Sequence, residues 1–282
     1  MLGRIVAQNL ENALKRSVIV DNRPGAGSGI GAQLVAHSAP DGRTLLVATS
    51  TMLAINPSLY KSLSYQPQRD FAPVGLIAAV PLVVVVHPSV KANTLAELIA
   101  LSKSKPGELH YASAGNGSPQ HLCAEMFRTA VGINIGHVPY KGSALGLTDL
   151  LGGQVQMMFT DIAPALPYIR NVKLRALEVT TAERVPSLPE VGTVRESGLP
   201  GTAGFEAVAW QSLVAPAGTP KYFITQVNAE LVKIINMPEV KERPIKEGME
   251  PRTSTPEQLC AYIRSETERL AVAVKSSGAS LD

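Results

Sequence analysis

The sequence predicts an α/β protein of two lobes followed by a mostly helical tail, and three observations predict it. Short apolar segments such as 44–50, 81–87 and 155–161 alternate with amphipathic helical stretches, the pattern of βαβ units and parallel sheets. The alternation falls into two clusters, about residues 1–100 and 105–205, before helices take over. Two strand-like segments, 81–87 and 207–215, stand where the chain would cross between the clusters. The first lobe is therefore expected to be discontinuous, residues 1–103 plus 216–282, around a second lobe of 104–215.

Taken in order, Leu2, Ile5, Val6, Leu10 and Leu14 share one side of a first helix. Residues 17–21 read as a short buried strand, 22–31 as a glycine-rich turn, and 30–39 as a helix ended by Pro40-Asp-Gly. Residues 44–50 read as a fully buried strand. Ligands of parallel sheets sit beyond the carboxyl ends of strands, which singles out Thr49, Ser50 and Thr51. Residues 56–60 give a turn and short helix. The run 74–86 is interrupted by Gly75 and Pro81, too short to span a bilayer, and reads as two buried segments around a turn. Thr94 and Glu97 fit a capping box for a helix to about Lys103.

The stretch 111–121 then runs from a strand through a glycine turn into a helix. Gly115 and Gly117 can adopt backbone angles other residues resist and admit a ligand close to the main chain. The helix opens with free N–H groups, which together with its dipole and the Ser118 hydroxyl suit an anion such as a carboxylate. An ordinary turn with Ser118 as N-cap and Pro119 at the first helical position accounts for the same residues. A helix to about Val131, a strand and loop at 135–142, a helix from Ser143 to Gly152 and a strand at 155–161 follow. Next come a helix at 162–169, a strand at 174–180, a proline-rich loop at 185–204 with a short helix near Val194, and a strand at 207–215. Helices at 221–236, 238–248 and 256–277 close the chain, and no long repeat is visible.

Composition narrows the function. The chain of 282 residues is 45% apolar and 17% charged, which is globular. A net charge of +3 without basic clusters argues against nucleic acid, although a mild positive excess suits small anions. No secretory signal opens the chain, so as written it would stay in the cytoplasm. Cys123 and Cys260 sit in helical patterns and are expected to be buried free thiols; the histidines lack metal spacing. The stretch 27–32 fits a loose dinucleotide fingerprint, but the next strand ends in Ala48-Thr-Ser50 without an acid, so no cofactor is expected. Arg23 reads better as part of a helix-entry turn than as an anion clamp. Ser118, His121 and Asp161 have the residue types of a hydrolytic triad but no nucleophile elbow, and no enzyme is expected.

The motifs VDNRPGAG (20–27), NPSLY (56–60), DFAPV (70–74), YASAGNGS (111–118) with His121, HVPYKG (137–142), LRAL (174–177) and APAGTP (215–220) together resemble the Bug family, the receptors of bacterial tripartite tricarboxylate transporters. The similarity extends along the whole chain. It implies a two-lobed periplasmic-binding-protein fold, the type II Venus flytrap, that closes on a di- or tricarboxylate, acidic amino acid or aromatic acid. Its partners would be the transporter's membrane subunits or a sensor kinase, with the receptor a monomer. By position, Thr49, Ser50 and Thr51 would line the pocket from the first lobe. Ser113, Ala114, Gly115, Asn116, Gly117, Ser118, His121, Tyr140, Lys141 and Asp161 would line it from the second.

Several of these residues keep two readings. His121 either meets ligand or bonds its own loop; Asp161 either pairs with a ligand ammonium or caps the helix after it. Lys141 either meets a distal carboxylate or is solvated, and Trp210 reads as core or hinge packing. Two departures from the family carry expectations. Members begin with a signal peptide, a strand and a PFPPGG-type loop, whereas MLGR (1–4) lies within the following helix. Without that strand, expected between 18–21 and 44–50, two strands would lack their shared partner, each orphaned backbone group costing on the order of 1–3 kcal/mol. An incomplete gene record or a decayed copy, with weak or absent binding, is the expectation. The loop 199–205 is lengthened relative to the family. An effector-sensing domain of a regulator is the alternative, disfavoured by the absence of a helix-turn-helix segment before Val18.

Overall fold

A computed structural model describes residues 2–23, 28–246 and 248–281. Residues 24–27 of the first glycine-rich stretch lie outside the described residues, so the fingerprint reading is not addressed there. The elements are α1 (Leu2–Leu14), α2 (Gly29–Ala36), β1 (Leu46–Thr49), a π-helical turn (Thr51–Ile55), α3 (Asn56–Leu59), α4 (Pro67–Asp70) and β2 (Phe71–Val86). They continue with α5 (Leu95–Ser104), β3 (His110–Ser113), α6 (Pro119–Val131), β4 (Gly136–Pro139), α7 (Ser143–Leu151), β5 (Met157–Asp161), α8 (Ile162–Arg170) and β6 (Arg175–Val179). The chain ends with β7 (Val208–Pro216), α9 (Lys221–Asn236), α10 (Pro238–Lys246), β8 (Glu250–Pro251) and α11 (Pro256–Ser277).

The long strand β2 organises the sheet. Its first part, from Phe71 to Pro81, pairs antiparallel with β7, while Leu82 to Val86 lie between β5 and β6. The expected turn within 74–86 is therefore absent. Pro81 stands where the strand exchanges one set of neighbours for another, a place where its missing N–H costs little. Among the described strand pairs, β3 with β4 and β3 with β5 are parallel and the others antiparallel, with two further parallel contacts as isolated bridges at Tyr60–Leu281 and Val179–Thr193. The departure from fully parallel sheets follows from the path of the chain, which runs out along β2 and returns along β7.

Each part of the sheet is covered on both faces. Around β2, β5 and β3, Phe127 of α6 and Leu95 and Leu98 of α5 pack on one side, and Leu147 and Leu150 of α7 with Ile162 and Ala165 of α8 on the other. Around β7 and the start of β2, α11 and Met52–Ile55 cover one face, α1 and α9 the other. Trp210 belongs to this core, donating from Nε1 to Glu266 Oε2 at 3.2 Å.

Other expectations are corrected. Residues 17–21 form no strand: Val18 N–H donates to Glu11 Oε2 at 3.1 Å, and Ile19 is 88% exposed. No described strand lies on the far side of β1, so an extended segment there finds no ladder to join. For the same reason 44–50 is not fully buried. Its strand, β1, is an edge in which only Ala48 is buried. The helix near Val194 is a turn, because Val194 N–H donates to the Val179 carbonyl and Thr193 bridges to the edge of β6. At α5, Thr94 accepts from Glu97 N–H, but the Glu97 carboxylate accepts from Asn93 N–H, one residue short of a capping box. Cys123 is buried, whereas Cys260 is exposed, one position off the Leu259, Ile263, Glu266, Leu270 stripe that α11 buries. Among the described residues no helix is long and apolar enough to cross a membrane.

Candidate ligand-binding site

Because β4 and β5 both run parallel to β3, Ser113, Pro139 and Asp161 end on the same edge of the sheet. The turn after Ser113 is built by short-range hydrogen bonds. Gly115 (φ 125°) and Gly117 (φ 72°) occupy left-handed backbone regions. Ser113 Oγ accepts from Gly115 N–H at 3.1 Å and donates to the Gly115 carbonyl at 3.2 Å. Ser118 is the N-cap of α6, its Oγ accepting from His121 N–H at 3.2 Å, with Pro119 next. Gly117 N–H donates to His121 Nδ1 at 3.0 Å, which fixes the neutral tautomer protonated on Nε2. His121 thus bonds its own loop.

Beneath the turn lies a stack of three rings. The His121 and His137 rings lie nearly parallel with centroids 3.9 Å apart, and the Tyr111 ring lies 4.8 Å from His137. Burial holds the His137 imidazole down at about 4, with His121 adding to the effect, and burial lowers His121 as well. His137 Nε2 sits 2.6 Å from Ser113 Oγ. Tyr111 in turn donates to Glu125 Oε1 at 2.8 Å, and Glu125 pairs with Arg128 at 2.7 Å.

Three main-chain donors of the turn remain. Ala114 N–H, Asn116 N–H and Gln120 N–H have no acceptor among the described residues, while Gly115, Gly117, Ser118 and His121 N–H are all engaged within the turn. Asn116 and Gln120 lie at the head of α6, where the helix dipole favours negative charge. The anion-binding expectation is thereby narrowed from a whole row of amides to these three.

The remaining candidates are placed as follows. Asn116 and Lys141 are exposed, and Ala114 and Gly115 half-buried. The Tyr140 hydroxyl donates to Asp149 Oδ2 at 2.7 Å, turned toward α7, and burial pushes it up to about 12. Asp161 makes no side-chain cap on α8; its Oδ1 accepts from Gln120 Nε2 at 3.3 Å, and burial raises the carboxyl to about 6. Asp161 stands at the N-cap position of α8, but its carboxylate does not make the capping bond. On the other side, Thr49 Oγ1 accepts from Met52 N–H at 3.3 Å and Ser50 Oγ from Trp210 N–H at 3.4 Å, while Thr51 opens the π-helical turn.

That turn leads into α3, whose Leu59 side chain lies against Gly117 so closely that a Cβ there would overlap it. Ser50 and Pro119 also line one small void of about 20 Å³. A larger cavity of about 520 Å³ lies elsewhere, between 181–187 and 248–252, and contains none of the predicted residues.

Sequence reasoning missed Gln120, His137 and Leu59. HVPYKG marked the neighbourhood of His137, but nothing local signals its stacking on His121, 16 positions away by number. Ser118, His121 and Asp161 form no relay, since each is bonded to a different group. Among the described residues no cluster of His, Cys, Asp or Glu could hold a metal ion.

Comparison with known proteins agrees with this architecture. The family model described as the tripartite tricarboxylate transporter family receptor, TctC, matches residues 2–278. Protein BugT of Bordetella pertussis is 37% identical over 282 residues, spanning 100% of this chain and 86% of BugT. The structure of Rpa4515 from R. palustris with adipate superposes with a TM-score of 0.85 at 34% identity, covering 100% of this chain and 93% of that one. MatC from Rhodopseudomonas palustris with bound malate gives 0.79 at 30%, covering 97% and 93%. The periplasmic binding protein BugD gives 0.80 at 33%, covering 99% and 93%. With a family match along nearly all its length and the fold of these solute-binding proteins, the chain belongs to the tripartite tricarboxylate transporter receptors, the Bug family, whose members are substrate-binding receptors and not enzymes.

Proposed function

We propose that this receptor works outside the cytoplasm, in the periplasm, and binds one small organic carboxylate for the membrane subunits of a tripartite tricarboxylate-type system. The observation that carries the reading is the pair of unengaged donors, Asn116 N–H and Gln120 N–H, at the head of α6 on an edge shared with Ser113, Tyr140 and Asp161. A carboxylate there meets two amides and the positive end of a helix. That similar proteins were solved with adipate and malate supports the ligand class.

In this reading residues 1–103 with 216–282 form one lobe and 104–215 the other, hinged on β2 and the approach to β7. Thr49, Ser50 and Thr51 face the turn from across the cleft. Ligand favours closure only by its extra affinity for the closed form, which is the shape a membrane partner reads. Native mass spectrometry of the purified protein, followed by thermal shift against a panel of carboxylates on this chain and on a version with the family's first strand and loop restored, tests it. A ligand at about 100 times its Kd should add roughly 2.7 kcal/mol of stability, a rise in Tm of several degrees. A panel in which no carboxylate moves the Tm of the restored version refutes the reading.

A further inference from the structure

The helix α6 divides its buried face between two cores. Cys123, Ala124, Phe127 and Val131 pack in the core that α6 shares with α5, β3 and β5. Leu122, 1% exposed, lies instead in the core built from Met52–Ile55, Leu59, Trp210 and α11, and Met126, one turn on, packs between the two. Among the described residues no other hydrophobic side chain between 104 and 206 joins that second core. Arg269 of α11 braces the same place: its Nη1 donates to the Glu206 carbonyl at 2.7 Å and meets Met126 Sδ at 3.6 Å. Its other nitrogens donate to Glu266, which also accepts from Trp210 Nε1. Met52–Ile55 directly follow Thr49, Ser50 and Thr51, and Leu122 N–H donates to the Ser118 carbonyl in the first turn of α6. One apolar side chain thus joins the head of α6 to the end of β1. The joint has little spare room, since the void lined by Ser50 and Ile55 on one side and Pro119 and Cys123 on the other is about 20 Å³.

Resting on the two-lobed receptor reading above, we infer that Leu122 is a positioning residue for binding, a latch that sets ligand affinity without touching ligand. It holds the head of α6, with the main-chain donors of Asn116 and Gln120, against the side that carries Thr49, Ser50 and Thr51. Apolar burial acts only at contact distance, so the seat stabilises the form in which the lobes meet and contributes nothing once they part. Every closed complex carries that contribution. A weaker seat therefore lowers affinity by reducing the share of binding-competent molecules. Phe127 is the internal contrast. It is as buried on the same helix, but it packs on Phe159 and Phe205 and moves with its own lobe.

The test is a distance measurement by pulsed electron resonance between spin labels on Cys260, exposed on α11, and on Lys173→Cys, exposed between α8 and β6. Cys123 is buried and stays unlabelled. The otherwise unaltered chain should give one dominant distance. Leu122→Ala should raise the share of a longer distance about tenfold, and Leu122→Met should restore the original pattern. Phe127→Leu should lower Tm and leave the distances unchanged. Calorimetric titration with adipate and with malate reads the affinity: whichever binds should be weakened about tenfold by Leu122→Ala and not by Phe127→Leu. Should Leu122→Ala not fold, Leu122→Val carries the same comparison with a smaller cavity. A lower Tm with unmoved distances, or an affinity loss equal in the two variants, would show α6 to be a fixed joint and overturn the inference while leaving the receptor reading intact. A shifted distance together with a carboxylate panel that moves no Tm, in this chain or in the restored version, would support the latch and refute the receptor reading.

Discussion

The ends of β3 and β1 do the same formal job and are built in opposite ways. After β3 the chain turns through two left-handed glycines and is closed on itself by Ser113, Ser118 and His121 through bonds that span two to four residues, with Ser113 Oγ also meeting His137 Nε2, 24 positions on. Its strand is flanked on both sides by parallel neighbours. After β1 the chain continues directly into a π-helical turn from an edge strand, and Ser50 is anchored to Trp210, 160 positions away. One side of the proposed cleft is thus shaped locally before any ligand arrives; the other takes its shape from distant parts of the fold. A locally closed loop tolerates distant change but not a change in its own backbone.

Gly117→Val should produce the largest effect and break that loop. A β-branched side chain at φ 72° costs about 1–2 kcal/mol, and its overlap with Leu59 adds about 1–3. Tm should fall by on the order of 10 °C, with loss of ligand response. Gly132→Ala is the control: φ is 65° but nothing lies within 4 Å of the added Cβ, so only about 1 kcal/mol is lost. Combining Gly117→Ala with Leu59→Ala should recover the steric share and not the conformational one. Full recovery would show that the left-handed turn is not required.

The ring stack gives the next effect, and it depends on pH. His137 is held at about 4 by burial, against about 6.5 in an unfolded chain. The unfolded state therefore binds the extra proton first, and stability is lost as pH falls from about 6.5 toward 4. Allowing for partial exposure of His137, about 1–2 kcal/mol is at stake, and protonation of either ring places a charge against the other 3.9 Å away. Denaturant titrations at pH 7.5 and 5.0 should show the difference, and His137→Phe should reduce it. An unchanged pH slope in His137→Phe would mean that the stack is not the sensor. No comparable group lies at the end of β1, so substitutions there should leave the slope alone.

Asp161 works in the opposite direction. Its carboxyl is raised by burial to about 6, so the folded protein holds the proton longer than the unfolded one, and stability falls as pH rises from about 4 through 6. At pH 7.5 an uncompensated buried carboxylate remains. Asp161→Asn should then stabilise the ligand-free protein by about 1–2 kcal/mol, raising Tm by a few degrees. A stabilising substitution at a proposed contact residue is the mark of a group kept for binding and not for folding. A lower Tm in Asp161→Asn at pH 7.5 would show that the fold already supplies a partner for the charge.

What the sequence made legible follows the same division. The loop from Tyr111 to His121 could be read because its chemistry is short-range: glycines, an N-cap and a proline at the helix start lie side by side. The boundaries of α9 and α11 were equally plain, set by Pro220, Pro238, Thr255 and Gly278 around continuous amphipathic runs. The misread places depend on neighbours that sequence does not name. Residues 17–21 have a strand's composition and no ladder to join. Pro81 looks like a break, yet it sits harmlessly where β2 changes partners. Gln120 carries no motif at all, and its importance appears only when α6 brings it to Asp161 on another strand.

The smallest effects decide whether the two strand ends differ as described. Ser118→Ala removes an N-cap whose Oγ accepts from His121 N–H at 3.2 Å, and such losses cost about 1 kcal/mol. Ser50→Ala removes an acceptor at 3.4 Å from Trp210 N–H, a long bond near the limit at which such contacts contribute, so the stability loss should stay below about 0.5 kcal/mol. The ranking should reverse for binding if Ser50 faces the ligand: Ser50→Ala would then lower affinity with little change in Tm, whereas Ser118→Ala would lower both, because the cap also aims the amides of Asn116 and Gln120. Parallel melts with and without a bound carboxylate separate these outcomes. If Ser50→Ala destabilises the ligand-free protein more than Ser118→Ala does, the end of β1 is the more rigid of the two, and the contrast between a locally closed turn and a remotely held one fails.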